Sequence, residues 1–366
     1  MCMSKVILHI DLNAFFVRCE ELKNPSLENK PVVIGHMGRG GIISTCSYEA
    51  RKYGIHSGMP TYQAKELCSS ALFLPGDYRF YEKKSHEFIN LIKKYSKIIE
   101  QASIDECFVD MTDAIKKYKD PFQLFKTIQL DLFKTTGLKC SIGVAPTKFL
   151  AKMASDMKKP MGITIIRKKD VRTMLNPLPI EDFFGIGKKT APRLREIGIN
   201  TIGDLATLID NNDESVKKEL GKFYYAIKDW INGEGSDVVN VEPFDPKSIG
   251  HSTTFKSDTN DVEDISKYLK MLTKEVSTDA KKAGKIGSSV QIVLKDTEFK
   301  IINRSKKLSK ATNNEEEIYK TACSLLKENF DGRLIRLVGV TLQNLQDPHE
   351  IIEQMSIFDN FNIRNI

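Results

Sequence analysis

The feature that most constrains this chain is that its hydrophobic pattern changes character twice along 366 residues. Up to about residue 166, short apolar and partly β-branched runs alternate with segments of helical spacing. From about 167 to Trp230 the spacing is helical only. The stretch GEGSDVVNVEPFDPKS (233–248) is then rich in Gly, Ser, Asp and Pro, and strand and helix patterns alternate again beyond it. One core cannot serve three such patterns. The expectation is a multidomain chain, α/β at the front, helical in the middle and α+β at the back. The length also implies two to four domains.

The front part resolves into elements. KVILHI (5–10) reads as a buried strand with Asp11 at its end, and 14–22 as a helix closed by Asn24-Pro25. KPVVIG is a second buried strand, followed by the cluster Gly38-Arg39-Gly40-Gly41 and then a strand-to-helix run, IISTCSYEARKYGI. Residues 61–68 read as a helix, 74–77 as a turn and 78–97 as a long polar helix. KIIEQASIDECFVDM reads as two strand halves with a tight connection, and 121–135 as an amphipathic helix. LKCSIGVAPT is strand and turn, with Pro146 placed in the first turn of the next helix. In that helix Phe149, Leu150, Met153, Ala154 and Met157 recur at helical spacing, and Lys159-Pro160 ends it. In the last part, strands near 250–256, 287–295 and 334–345 alternate with helices near 261–283 and 315–330, and from 346 there is no core pattern.

Composition narrows the function classes. A net charge of +7 fits a polyanionic partner without demanding one. The seven cysteines form no CxxC pair and the six histidines no HExxH, which points to a reduced compartment and away from a zinc site. No run is long and apolar enough to span a bilayer, and the N-terminal apolar stretch is too short for a signal segment. A soluble cytoplasmic protein with no membrane partner is expected.

Asp105 and Glu106 are adjacent between apolar strand halves, and Asp11 ends another apolar strand. Neighbouring buried acids repel unless they are solvated or neutralised by cations. Successive strand residues face opposite ways, so both acids serve one site only where the chain bends. Three carboxylates from neighbouring strands would make a hard-oxygen site for Mg²⁺. Spacing alone favours three solvated surface acids, since acids at strand ends are common.

HIDLNAFFVRCE, ISTCSYEARKYGI, SIDECFVD, SIGVAPTKFLAKMASDMKKP and FFGIGKKTAPRLREIGI occur in that order. In order and spacing they resemble the Y-family DNA polymerases, most closely the DNA polymerase IV (DinB) branch, densely over the first 200 residues and loosely beyond. The resemblance implies two Mg²⁺ ions, replaceable by Mn²⁺, held by Asp11, Asp105, Glu106 and the Leu12 carbonyl. Asp105 and Asp11 would each touch both ions and Glu106 the catalytic one. Asn13 stands where many relatives carry aspartate. Phe16 matches the steric gate that rejects a ribose 2′-hydroxyl, with Phe15 the better core candidate. Thr45, Tyr48, Arg51 and Lys159 match nucleotide contacts, and Ile42, Ser44 and Gly58 match positions lining the nascent base pair. Tyr48 and Arg51, three apart, would share a helical face.

DNA contacts are expected at a helix-hairpin-helix turn, Gly185, Gly187, Lys188 and Lys189, with its helix starting near Lys188. Residues 281–310 hold nine Lys/Arg against Asp296 and Glu298, and Arg304, Lys306, Arg333 and Arg336 are the candidate phosphate contacts there. Gln354, Ile357 and Phe358 resemble a sliding-clamp-binding peptide. The implied fold is an α/β and α+β right hand. The palm is 1–19 and 78–166, the fingers 20–77, the helix-hairpin-helix thumb 167–235, the linker 236–247, the little finger 248–345 and the flexible tail 346–366. The implied activity is low-fidelity, translesion DNA synthesis from dNTPs on a primer–template by a monomer. Two rivals remain at this point, a catalytically dead DNA-binding scaffold and a metal-dependent nuclease using the same acids. Neither would need the steric gate or the triphosphate contacts.

Overall fold

The computed structural model describes residues 5–242 and 244–348. The chain divides into two units, Met1–Pro243 and Phe244–Ile366.

In the first unit the elements run β1 (Ile7–Leu12), α1 (Phe15–Lys23), β2 (Val32–Gly35), β3 (Ile43–Cys46), α2 (Tyr48–Arg51), α3 (Thr61–Leu67), β4 (Leu72–Leu74) and α4 (Tyr78–Ile92). They continue with β5 (Ile99–Gln101), β6 (Glu106–Asp110), α5 (Pro121–Thr136), β7 (Cys140–Ala145), α6 (Lys148–Met157) and β8 (Ile163–Ile165). Five short helices complete the unit: α7 (Val171–Leu175), α8 (Thr190–Glu196), α9 (Ile202–Asp210), α10 (Glu214–Leu220) and α11 (Phe223–Ile231). The strands make a five-stranded sheet, β5-β6-β1-β7-β8, and a three-stranded sheet, β3-β2-β4.

β1 is central and wholly buried, antiparallel to both β6 and β7. Because a strand alternates its faces, Leu8, Ile10 and Leu12 join one core with Phe88 of α4 and Phe125 of α5. Ile7 joins a second core with Leu150 of α6 and the helices that follow. His9 and Asp11 share the face of Ile7, so the acid looks toward α6. α6 sits close on this face because position 143 is glycine. A Cβ there would lie 1.9 Å from the Ala151 carbonyl oxygen. The second core extends through Phe149, stacked on Trp230 at 4.4 Å between ring centroids, into α7–α11.

The second unit contains β9 (Ser248–Thr259), α12 (Val262–Lys282), β10 (Ile286–Asp296), β11 (Ile301–Thr312), α13 (Glu315–Asn329) and β12 (Ile335–Gln346), with a four-stranded sheet ordered β11-β10-β12-β9. Ile265, Leu269 and Leu272 of α12 pack with Ile318, Ala322 and Leu326 of α13 against Val290, Ile292, Val338 and Val340.

The structure corrects several local expectations. β1 continues one residue past Asp11 to Leu12, so the acid lies within the strand rather than at its end. Thr147 caps α6 and Pro146 precedes the helix. The long polar helix stops at Ile92, short of residue 97. Three strands were not expected. β4 and β8 have only three residues each, and β11 (IINRSKKLSKAT) carries charge where a strand pattern wants apolar alternation. The expected boundary at 19/20 falls inside α1. Residues 236–242 lie against the first unit, where Ser236 accepts from the Lys148 amide, the Asn240 amide donates to Glu100 and Val239 is buried. No helix among the described residues is long and apolar enough to cross a membrane, and the six described cysteines are all free.

Candidate active site

The β1–β6 ladder sets Asp11 directly opposite Glu106. Glu106 is the first residue of β6, and Asp105 lies in the β5–β6 turn, whose main-chain oxygen accepts from the Leu12 amide at 3.0 Å. The bend needed to bring adjacent acids to one site is this turn. Ser103 shapes it, donating its hydroxyl to Asp105 Oδ1 at 2.6 Å and accepting from the Asp105 amide at 3.2 Å.

α6 and the segment after it answer the acids with two ammonium groups. Lys152 Nζ lies 2.6 Å from Glu106 Oε1 and 3.2 Å from Asp11 Oδ2. Lys159 Nζ lies 2.7 Å from both Asp11 Oδ2 and Asp156 Oδ1. Burial pushes the Asp11 carboxyl up, and sharing with Glu106 pushes it further, against the pull of Lys159 and Lys152. Burial would raise Glu106 too, but the His9 ring, Asp11 and Lys152 outweigh it and hold it below the usual carboxylate range. Burial would lower Lys152, yet Asp11, Asp156 and Glu106 raise it, so the ammonium stays charged. His9 is buried and lowered by that burial. Its Nδ1 pairs with Ser155 Oγ at 2.8 Å and its Nε2 stands 3.5 Å from Glu106 Oε2.

Among the described residues no three Asp, Glu, His or Cys side chains are grouped so as to hold a metal ion, and Asp105 Oδ1 accepts from Ser103. The donor set nevertheless fits hard divalent cations. Asp11, Asp105, Glu106 and Asp156 offer four carboxyl groups against two lysines, and Asp105 is only partly buried, held through a single serine.

Beside the acids lies a cavity of about 220 Å³ whose lining includes Asp11, Phe16, Tyr48, Arg51, Asp105 and Lys159. Leu12, Ser44 and Thr45 also line it, and Glu106 does not. Ser47 caps α2 by accepting from the Ala50 amide, which sets Tyr48 and Arg51 on one turn, with the guanidinium 4.7 Å from the Tyr48 ring centroid. Phe15 and Phe16 both border the cavity; Phe15 is otherwise buried in the core, whereas Phe16 is half-buried, stacked on Tyr81 at 4.4 Å with Tyr78 edge-on at 5.7 Å. Tyr81 is itself held by a 2.7 Å hydrogen bond from its hydroxyl to Glu20, and the Tyr78 hydroxyl pairs with Ser44 Oγ at 3.1 Å. Ile42 is exposed just before β3, and Gly58, at φ +82° with open space around it, donates its amide to the Ile43 carbonyl.

Away from this cavity, Gly185 takes φ +98° against the Phe223 ring, while Gly187 accepts from the Ala191 amide. α8 begins at Thr190, two residues later than expected; Lys189 is exposed and Lys188 Nζ stands 3.0 Å from His56 Nε2. In the second unit Arg304 donates to Asn329, Lys306 to Glu328 and Ser324, Arg333 to Asp331 and Asp296, and Arg336 lies 5.1 Å from the Phe299 ring centroid. Gln354, Ile357 and Phe358 lie outside the described residues.

Sequence reasoning missed Lys152, His9, Tyr78 and Tyr81. For Lys152 a signal was available. Lys152, Asp156 and Lys159 recur at helical spacing beside the apolar stripe of α6, a charged row next to a buried one. Nothing local marked the two tyrosines, because their partners come from other elements.

The impB/mucB/samB family matches residues 10–156, its C-terminal domain residues 246–357, and the IMS family HHH motif residues 168–199. A DNA polymerase IV of Alkaliphilus oremlandii (strain OhILAs) is 41% identical over 369 residues, spanning 99% of this chain and 92% of that protein. One from Bacillus anthracis is 37% identical over 359 residues, spanning 97% and 86%. Among solved structures, a Y-family DNA polymerase chimera superposes with a TM-score of 0.83 at 31% identity, covering 93% of this chain and 99% of that one. DinB from Sulfolobus solfataricus gives 0.60 at 30%, and an insertion ternary complex of Dbh DNA polymerase 0.63 at 30%, each with the same coverage.

Proposed function

This chain belongs to the impB/mucB/samB family and is a Y-family DNA-directed DNA polymerase acting in translesion synthesis, and from that premise we propose which of its residues do the work. Its chemistry depends on divalent metal. The proposal rests on one observation: a single cavity is lined by an acid of the central strand, an acid of the β5–β6 turn, an aromatic of α1, the Tyr48–Arg51 pair of α2 and Lys159.

In this reading Asp11, Asp105, Glu106 and the Leu12 carbonyl would hold two Mg²⁺ ions, with Mn²⁺ as an alternative. When bound, such ions lower the pKa of the primer 3′-hydroxyl and neutralise charge on the triphosphate. The protein's own residues do the rest. Arg51 and Lys159 donate to triphosphate oxygens from the cavity wall, and Tyr48 and Thr45 complete that cradle. The Phe16 ring, backed by Tyr81, occupies the space a 2′-hydroxyl would need. The exposed Ile42 and the bare Gly58 leave the base pair loosely enclosed, which suits distorted templates and lowers fidelity.

The right-hand parts follow the elements. The palm is the five-stranded sheet with α4–α6, the fingers the three-stranded sheet with α2 and α3, the thumb α7–α11 and the little finger the second unit. Gly185, Gly187, Lys188 and Lys189 would grip one DNA backbone, and the charges of β11 and Arg333 and Arg336 another, without reading sequence. We assign Gln354, Ile357 and Phe358 to a sliding clamp and the working protein to a cytoplasmic monomer. Loss of clamp-stimulated synthesis in an Ile357→Ala, Phe358→Ala variant, with basal synthesis intact, is the expected check.

The main test is extension of a labelled primer–template with Mg²⁺ and dNTPs beside the Asp105→Asn, Glu106→Gln double variant. Wild-type extension and none by the variant, at equal DNA affinity, is the expected result. A variant that still extends would remove the acids from the proposed role.

A further inference from the structure

The face that carries Asp11 and Glu106 holds a cation of the protein's own. Lys152 Nζ contacts Glu106 at 2.6 Å and Asp11 at 3.2 Å, and its side chain is 12% exposed. Lys159 has a different place: it bridges Asp11 and Asp156 and lines the cavity, whereas Lys152 is absent from the lining. Lys152 therefore addresses the two acids that face each other across the β1–β6 ladder and reaches the nucleotide pocket only through Asp11. One turn further along α6, Asp156 Oδ2 stands 3.6 Å from the same ammonium. On the far side of Glu106 the buried His9 ring stands 3.5 Å from Oε2.

We propose that Lys152 is a resident counter-ion of the metal-binding carboxylates: it holds Asp11 and Glu106 together, competes with the divalent ion for their oxygens, and shifts toward Asp156 when the ion enters. The inference rests on the reading of Asp11 and Glu106 as metal ligands. A buried and a half-buried carboxylate facing each other repel, and an ammonium at contact distance removes that repulsion. A hard divalent ion needs the same oxygens, so a fixed positive charge on them lowers its affinity. Asp156, at i+4, offers the ammonium another partner within reach of the same side chain. His9 keeps Glu106 in place while the exchange occurs. Lys152 is thus a positioning residue that acts through Asp11 and Glu106.

The test uses the full chain without DNA or nucleotide and Mn²⁺ as the probe, with free Mn²⁺ measured by electron paramagnetic resonance. Lys152→Met keeps the stem and loses the charge, and Mn²⁺ should bind about tenfold more tightly. Lys152→Arg, which keeps the charge, should bind close to wild type. Unchanged or weaker binding by Lys152→Met overturns the proposal. The Asp11→Asn, Glu106→Gln variant separates the two ideas. If it binds Mn²⁺ as wild type does, the acids are not the ligands and both readings fall. If it loses the ion while Lys152→Met is unchanged, only the counter-ion falls. Should Lys152→Met not fold, the unaltered protein supplies the answer through reductive methylation of the Lys152 amine, mapped by mass spectrometry. The reaction should run several-fold faster with Mn²⁺ than without, and equal rates would refute the displacement.

Discussion

The acidic face of the five-stranded sheet and the basic strand of the four-stranded sheet are both rows of charge on β-structure, built in opposite ways. Asp11 is 6% exposed in a central strand and is answered by Lys152 and Lys159 at contact distance. Arg304, Lys306 and Lys307 are exposed on the edge strand β11, with surface partners such as Glu328 and Asn329. A buried charge is held by several groups at once, and removing one leaves the others uncompensated. An exposed charge is screened and pays side-chain entropy to hold any one geometry. The acidic face should therefore behave as one object, and the basic strand as a sum of small, separable contributions.

That contrast breaks most visibly at the acids. Asp11→Asn should lower primer extension by about a thousandfold or more, on the order of 4 kcal/mol of transition-state stabilisation, with DNA affinity unchanged. A loss of only a few-fold in single-turnover rates would make the face as replaceable as the edge strand. Next comes the support beneath it. Gly143→Ala would set a Cβ against the Ala151 carbonyl and push α6 off the sheet. Urea unfolding should show a loss of about 1–3 kcal/mol, with weakened extension because Lys152 and Lys159 move with the helix.

Phe16→Ala should raise ribonucleotide incorporation relative to deoxyribonucleotide by at least about tenfold, read from competing kcat/KM values. An unchanged ratio would return Phe16 to a packing role beside Tyr81. The smallest effect belongs to the basic strand. Lys306→Ala with Lys307→Ala should weaken DNA binding several-fold and leave the chemical rate intact. The slope of log affinity against log salt should flatten by about 0.9 for each phosphate that is no longer neutralised. A thousandfold weakening there would show that the edge strand is no additive surface.

Much of this was legible beforehand, for identifiable reasons. The apolar run ending in Asp11, the Asp105–Glu106 pair and the YEAR turn are local patterns, and local geometry places them as expected: Phe15 inward, Phe16 outward, Tyr48 and Arg51 on one turn. β4, β8 and β11 were not legible, because a strand of three residues or one full of lysines is held by its neighbours' ladders rather than by its own pattern. The strand runs one residue past Asp11 for the same reason, since β7 supplies partners out to Leu12.

The amino-acid sequence by itself determined which segments become buried strands and amphipathic helices and which acids and rings stand at their ends. It also determined family membership, through motifs kept in order. Only the tertiary structure decided that Asp11 faces α6, that Gly143 lets that helix approach, and that Lys152, 141 residues from Asp11, stands between it and Glu106. Periodicity is written in neighbours along the chain, whereas the charge state of a buried acid depends on whatever strand order and helix packing bring within a few ångströms of it.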